Sequence, residues 1–181
     1  MERPDDDILY IFRDENQQIY APGANHPAGL VEFELVDNFR NTRQVFEAAR
    51  PYYRGQAVPC GPEGQRVERL ELRSPDELPK VLEQVLVLLI EEHINPQHIV
   101  ILTGISRERS RLCKLEHVGP VRLSHAGKFE KGAVLVETIC RFKGLDRRAV
   151  VLVELEEINP ADVQTLLYIG FTRARTLLVV I

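Results

Sequence analysis

A long apolar run followed by a cationic helix is the feature that most constrains how this chain can fold. The run from Ala149 to Leu155 is almost uninterrupted and rich in β-branched residues, which is typical of a buried parallel strand. A helix-like segment begins near Pro160 and delivers Arg173 and Arg175 at its far end. Core packing does not require two arginines behind such an apolar segment, so we expect an anionic partner there.

The rest of the chain alternates strand-like and helix-like segments. This alternation predicts an α/β fold with a mainly parallel sheet that is covered by helices on both faces. A loop with two prolines and two glycines is expected over Tyr20–Leu30. The expected strands are Asp7–Phe12, Leu30–Val36, Arg66–Leu72, His98–Leu102, Val121–Leu123 and Ala133–Val136. The expected helices begin at Asn41 or Thr42, run from Ser74 to about Ile94, and cover Arg107–Leu115.

Composition excludes several classes of protein. With 181 residues the chain is long enough for one domain, and its longest apolar run, Val85–Ile90, is too short to span a bilayer. The three cysteines form no CxxC pair, which favours free thiols and a cytoplasmic location. The net charge of −4 argues against a generally basic coat. Local basic clusters at 107–114 and 141–148 could meet phosphates, although solvated helix faces have the same pattern.

Four short motifs, in order along the chain, resemble those of one enzyme family. FRDENQQIY (12–20) and LVDNFRNTRQV (35–45) resemble motifs III and IV of superfamily 1 helicases of the UvrD/Rep type. TICRFKGLD (138–146) and LLYIGFTRAR (166–175) resemble their motifs V and VI. The motif sequences are most similar to those of nuclease-related-domain (NERD) helicases, which often have RFKGLE and LLYVGLSRAR at these positions.

The resemblance implies a fold, a domain division and an activity. Residues 1–29 would be the tail of a first RecA-like lobe with its linker, and residues 30–181 the second lobe, of the P-loop NTPase type. The parent would be an ATP-dependent DNA helicase or translocase that binds ATP and Mg²⁺ between the two lobes. This chain has no GxxxxGK[ST] loop, so we expect it to be inactive alone, with the Mg²⁺ ligands on the N-terminal P-loop lobe of the same polypeptide.

The resemblance also implies which residues face ATP. Arg173 and Arg40 would reach the γ-phosphate, and Gln17 would sense it beside the acid Asp14. A guanidinium suits this role because it stays protonated and binds two oxygens together. The alternatives are a surface salt bridge for Arg173 and a polar turn for the motif III segment. The remaining members are Phe39, which would stack on adenine (or lie in the core), Asp146 beside the sugar, and Gly144, where a ligand would leave no space for a Cβ.

A second set of residues would contact single-stranded or partly duplex DNA. The resemblance gives this role to Thr138, Arg141 and Lys143 of motif V, and to Ser106 and Arg107 in the strand and loop that follow motif IV. Cys140 stands where many family members have histidine. The chain has no tryptophan and 7% aromatic residues, so base-stacking groups are expected elsewhere in the parent.

Two alternatives remain open from the residues. The acidic end of the run VVLVELEE (150–157) could hold Mg²⁺, or it could be a core strand whose acids lie at its solvent end. The whole chain could also be a non-catalytic RecA-like module, derived from a helicase, that binds nucleic acid or protein without hydrolysis. A phosphate-loop lobe preceding this segment in the same polypeptide would favour the motor.

Overall fold

The computed structural model describes residues 10–19, 29–125 and 130–181. The first residues of the predicted strand at Asp7 and most of the predicted loop after Tyr20 lie outside these ranges. The α-helices are α1 (Arg43–Ala49), α2 (Leu78–Glu91) and α3 (Val163–Thr172). The strands are β1 (Asp37–Asn38), β2 (Val58–Pro59), β3 (Glu68–Arg69), β4 (Ile99–Thr103), β5 (His117–Val118), β6 (Val121–His125), β7 (Val134–Thr138), β8 (Arg147–Val153) and β9 (Ala174–Val180).

A mainly parallel sheet forms the centre of the described chain. Its strand order is β3-β9-β8-β4-β7-β6-β5, and only the β5–β6 pair is antiparallel. β4 lies between β7 and β8. β1 and β2 pair separately, in parallel. The predicted mainly parallel sheet is therefore confirmed.

Alternate residues of the central strands face opposite layers, as a pleated strand requires. In β8, Val151 packs in the core layer that contains α2, whereas Val150 and Leu152 pack in the layer that contains α1 and α3. β4 divides in the same way between Ile101 and Val100. Helices thus cover both faces, and the predicted α/β class is confirmed. No helix in the described part of the chain is long and apolar enough to cross a membrane.

Helix α2 starts as predicted but ends earlier. The Ser74 hydroxyl accepts a hydrogen bond from the backbone N–H of Asp76 (3.2 Å), and a short 3₁₀ turn leads into the helix. The helix ends at Glu91 because His93 takes a left-handed conformation (φ 63°). The N–H of Ile94 then bonds back to the carbonyl of Leu89 (3.1 Å), which is a common helix stop.

Two predicted elements are wrong. Residues 30–36 form no strand and are mostly exposed, because their apolar–acidic alternation has no neighbouring strand to pair with. Residues 107–115 do not form one helix; they contain a turn and the 3₁₀ segment Leu112–Lys114. There the side chains of Ser110 and Glu154 accept from the N–H groups of Cys113 (3.2 Å) and Arg111 (3.0 Å), which competes with helix formation.

The strand register fixes which residues lie at each end of the sheet. Arg147 and Ala174, the first residues of β8 and β9, are paired at the amino end. Thr103, the last residue of β4, is paired with Thr138 of β7 and with Val153 of β8 at the carboxyl end. Segments that follow β7 and β4 therefore begin at one end, whereas segments that precede β8 and β9 finish at the other.

Candidate functional site at the two ends of the sheet

Most of the predicted site residues fall into two groups at opposite ends of the sheet, and Glu137, which was not predicted, belongs to one of them. We define the amino-end cluster as Asp14, Gln17, Arg40, Asp146 and Arg173. We define the carboxyl-end cluster as Ser106, Arg107, Glu137, Thr138 and Arg141. The residues predicted to face ATP and those predicted to face DNA are thus separated by the length of the strands.

Arg173 is completely buried at the junction of α3 and β9, with 0% of its surface exposed. Its Nε donates to the carbonyl of Ile169 (3.1 Å) and its Nη1 to the carbonyl of Leu145 (3.2 Å). Its Nη2 donates to Thr172 Oγ1 (3.1 Å) and to Gln17 Oε1 (3.4 Å). The alternative of a surface salt bridge is therefore wrong.

Burial and a neighbouring cation act together on this guanidinium. Desolvation lowers the pKa of Arg173, and the positive charge of Arg40 lowers it further. Two arginine side chains held this close repel each other, so an anion between them would be stabilised. Arg40 itself is about half exposed (48%), and its Nε lies 3.8 Å from Asp146 Oδ2.

The segment with Gln17 is docked onto this cluster by its own side chains. Asp14 accepts hydrogen bonds from Gln17 Nε2 (2.6 Å) and from the Asn16 N–H (2.9 Å). Asn16 in turn accepts from the Arg54 N–H (2.6 Å) and donates to the Arg54 carbonyl (3.0 Å). The amide oxygen of Gln17 is therefore aimed at Arg173.

Two residues of this region were missed by sequence reasoning. Asn41 is buried, and its amide donates to the carbonyls of Thr172 (3.1 Å) and Ala174 (2.6 Å), which ties the start of α1 to the α3–β9 junction. Tyr168 is buried in α3, and burial followed by the charge of Asp14 raises its pKa, so its hydroxyl stays protonated. An asparagine beside a helix cap was the available signal for Asn41; none marked Tyr168.

The surroundings of Phe39 and Gly144 differ from those expected from the sequence. Phe39 is 69% exposed, so the alternative of a core aromatic is wrong. A Cβ built on Gly144 would meet no protein atom within 4 Å, but the residue has φ +86°. The turn conformation, rather than crowding by the protein, requires glycine here. Lys143 is exposed between the two clusters.

The carboxyl-end cluster is built around Glu137, which sequence reasoning also missed. This carboxylate is buried (5% exposed). Its Oε1 lies 3.3 Å from Arg141 Nε, and its Oε2 lies 3.9 Å from Arg107 Nη1. The N–H of Thr138 donates to Oε1 (3.0 Å), and Thr138 Oγ1 accepts from the Arg141 N–H (3.2 Å).

Ser106 lies at the edge of the same cluster, beside Glu108. The pKa of Glu108 is lowered by hydrogen bonds from its own backbone N–H and from the Ser106 hydroxyl, with smaller contributions from Arg107 and Arg141. Both arginines therefore act on the same stretch of surface. Glu108 is exposed, so it is the solvent-facing acid of this region.

The acidic end of β8 is engaged by protein groups. Glu154 is buried and has a left-handed backbone (φ 54°). Its Oε2 accepts from Thr103 Oγ1 (2.6 Å), and its Oε1 accepts from the Arg111 N–H (3.0 Å). The expectation that the acids lie at a solvent end holds for Glu156 and Glu157 and is wrong for Glu154. The described residues contain no group of three acidic, histidine or cysteine side chains placed to hold a metal.

One connection joins the two clusters. Residues 139–146 lead from the carboxyl end of β7 to the amino end of β8. The N–H of Phe142 bonds to the carbonyl of Thr138 (3.0 Å), and the N–H of Leu145 bonds to that of Phe142 (3.1 Å). Ile139 and Phe142 are buried in the core layer that contains α3.

The part of the chain that holds this connection matches a known family. Residues 133–181 match the family model described as the UvrD-like helicase C-terminal domain. The matched residues include Thr138, Arg141, Asp146 and Arg173. The family resemblance is thereby confirmed at this level, while the finer likeness to NERD helicases stays a prediction.

Solved structures extend the comparison to the fold. The C-terminal domain of a possible DNA helicase from Lactobacillus plantarum WCFS1 is 16% identical, with a TM-score of 0.59, over 78% of this chain and 85% of that chain. It supports the predicted RecA-like fold. The PRRSV helicase is 18% identical over 86% of this chain and 27% of its own, and its TM-score of 0.42 does not establish a shared fold. A search of curated proteins returns no match.

Proposed function

We propose that this chain is the C-terminal motor domain of an ATP-dependent DNA helicase or translocase. The observation that carries the proposal is the convergence of Arg173, Arg40, Gln17 and Asp146 at one end of the sheet in a UvrD-type domain. Two guanidinium groups that repel each other favour a polyphosphate between them. ATP is the ligand proposed for this position.

The geometry indicates how Arg173 would engage a phosphate. Its contact with Gln17, at 3.4 Å, is the longest of its four hydrogen bonds, and it lies beyond the usual N–H···O range of about 2.7–3.2 Å. It is therefore the bond that costs least to exchange. In the proposal Gln17 yields to a γ-phosphate oxygen when a P-loop lobe of the same polypeptide closes on this one.

The exposure of the remaining predicted residues suggests how each would contact the nucleotide. The exposed ring of Phe39 would stack on adenine, Asp146 would lie near the sugar, and the turn at Gly144 would bring the backbone past the nucleotide. The ligands of the accompanying Mg²⁺ are proposed to lie on the P-loop lobe. Mg²⁺ would neutralise phosphate charge from the other lobe.

A lobe interface is supported by exposed apolar side chains. Phe33 and Leu35 are exposed in the segment that leads into β1, Phe39 is exposed directly after β1, and Leu145 is exposed beside Asp146. A cluster of exposed apolar residues next to a proposed ligand site is typical of an interaction surface. The partner proposed for it is the N-terminal P-loop lobe.

The opposite end of the sheet is the proposed DNA site. Arg107 and Arg141, with Ser106, Thr138 and the neighbouring Lys143, would contact the backbone of single-stranded or partly duplex DNA. The three cysteines are free thiols, which agrees with action in the cytoplasm.

ATP turnover tests the proposal. A polypeptide that joins this chain to a P-loop lobe should hydrolyse ATP, whereas the chain alone should not. Arg173→Ala in the joined protein should lower kcat about 10³-fold or more, because a transition-state cation is removed. Arg175→Ala, which changes an exposed arginine two residues away, should leave kcat unchanged. Turnover that survives Arg173→Ala in a folded protein would overturn the role of Arg173.

A second candidate function is a non-catalytic binding module. It is favoured by the complete burial of Arg173, whose side chain is already bonded to Ile169, Leu145 and Thr172. In that case the joined polypeptide would bind single-stranded DNA but show no ATP hydrolysis. The same assay therefore separates the two candidates.

A further inference from the structure

Glu137 is an unusual residue to find beside a proposed phosphate-binding surface. A carboxylate there repels phosphates, and a buried carboxylate is costly to desolvate unless it is paired. Glu137 lies near the end of β7, directly before Thr138, which is one of the residues proposed to contact DNA. None of the family motifs quoted above calls for an acid at this position.

The contacts of Glu137 give it a specific geometry. Its Oε1 contacts Arg141 Nε and its Oε2 faces Arg107 Nη1, so that one carboxylate borders two guanidinium groups from different segments. The Thr138 N–H fixes Oε1 from the backbone side. Arg141 follows four residues after Glu137, whereas Arg107 belongs to the loop after β4.

Exposure shows which atoms remain available to a ligand. The Arg141 side chain is 60% exposed and that of Arg107 is 25% exposed, while the side chain of Glu137 is 6% exposed. The carboxylate thus lies beneath the two arginines, and their outer N–H groups remain available to solvent. A guanidinium has five donors, so pairing with one carboxylate oxygen leaves others for phosphate.

We infer that Glu137 is a positioning residue that holds Arg107 and Arg141 as a pair for the backbone of single-stranded nucleic acid. Without it, two flexible cations would repel each other and occupy many rotamers, and ordering them would cost binding free energy. The inference rests on the proposed DNA-binding function and adds to it the residue that sets the geometry of the cationic pair.

The inference can be tested by comparing how the removal of each of two negative charges changes the affinity for nucleic acid. Glu137→Gln and Glu108→Gln each remove one negative charge near the same two arginines. If these acids acted only by repulsion, both substitutions would tighten the binding of phosphates. If Glu137 positions the arginines, Glu137→Gln weakens binding, by about threefold or more, while Glu108→Gln leaves it unchanged or tightens it.

The experiment uses the chain itself and a fluorescent oligothymidylate at low salt. Affinity is measured by anisotropy over a series of salt concentrations, with thermal unfolding of every variant as a folding control. Weaker binding by Glu137→Gln together with unchanged or tighter binding by Glu108→Gln supports the inference. Tighter or unchanged binding by Glu137→Gln overturns it. No binding by the wild-type chain overturns the proposed DNA site, which is a different and distinguishable failure.

A second comparison keeps the test decisive if Glu137→Gln is less stable. Arg107→Gln with Arg141→Gln should weaken binding and lower the salt slope by about 2, one for each lost phosphate contact. In that double variant, adding Glu137→Gln should have no further weakening effect, because the groups that it positions are absent. A full additional loss in a folded triple variant would show that Glu137 acts by another route.

Discussion

At the scale of single residues, backbone conformation at Gly144 controls the turn before β8. Its φ of +86° costs an L-residue about 1–2 kcal/mol, and no protein atom crowds the Cβ position. Gly144→Ala should therefore lower the free energy of unfolding by that amount, whereas Gly144→Asn should cost less, since asparagine tolerates the left-handed region. Urea unfolding of both variants measures this. Equal losses would indicate a packing role instead.

The burial of Arg173 gives a second prediction at this scale. Arg173→Ala removes donors from the carbonyls of Ile169 and Leu145 and leaves a cavity, so it should destabilise the chain by about 2–4 kcal/mol. Arg175→Ala, at an exposed position, should stay within about 0.5 kcal/mol. Chemical denaturation compares them. A near-neutral Arg173→Ala would mean that the carbonyls find other donors.

The motifs predicted which single positions belong to the site. The surroundings of those positions became known only from the structure. Arg173 was expected from its place after Tyr168-Ile169-Gly170-Phe171, but its burial depends on Gln17 and Leu145, which lie far away in sequence. Glu137 was not predicted, since its partner Arg107 comes from a different strand–loop unit. Contacts of this kind depend on strand order, which local pattern does not contain.

At the scale of elements, the segment Glu15–Gln17 is held to the rest of the described chain by two hydrogen bonds between Asn16 and Arg54, and by a longer hydrogen bond from Arg173 to Gln17. The Arg54 N–H donates to Asn16 Oδ1, so Asn16→Ala should speed hydrogen exchange at the Arg54 amide. The loss in global unfolding free energy should be only about 0.5–1.5 kcal/mol, because a few hydrogen bonds are involved. Gln18→Ala, at an exposed position, is the control. Unchanged exchange at Arg54 would show that the segment does not dock in solution.

The elements with the clearest sequence signals were predicted best. β4, β7 and β8 are buried and consist largely of apolar residues, and the 3₁₀ turn that leads into α2 carries a serine cap and a proline at its start. Residues 30–36 had the alternation of a strand and formed none, because a strand also needs a hydrogen-bonded neighbour. A sequence pattern indicates the conformation that a segment prefers, but it does not show whether a neighbouring strand is available to pair with it.

At the scale of the whole molecule, the exposed apolar residues before β1 should make the chain self-associate. Phe33 and Leu35 are 84% and 79% exposed, so Phe33→Glu with Leu35→Glu should remove concentration-dependent association without loss of stability. Leu88→Glu, at an exposed site on α2, should not change association. Sedimentation of the three proteins decides. Association that persists in the double variant would place the contact elsewhere.

The connection 139–146 has a mechanical consequence for the domain. Ile139 and Phe142 are each 1% exposed, and withdrawing either from the core would cost about 1.5–3 kcal/mol, several times thermal energy. We therefore expect the connection to move as one unit, so that a displacement of Asp146 would be passed on to Thr138. If ATP and DNA bind at the two ends of the sheet as proposed, this connection would couple their binding. Such coupling is reciprocal: each ligand would change the affinity for the other by the same factor.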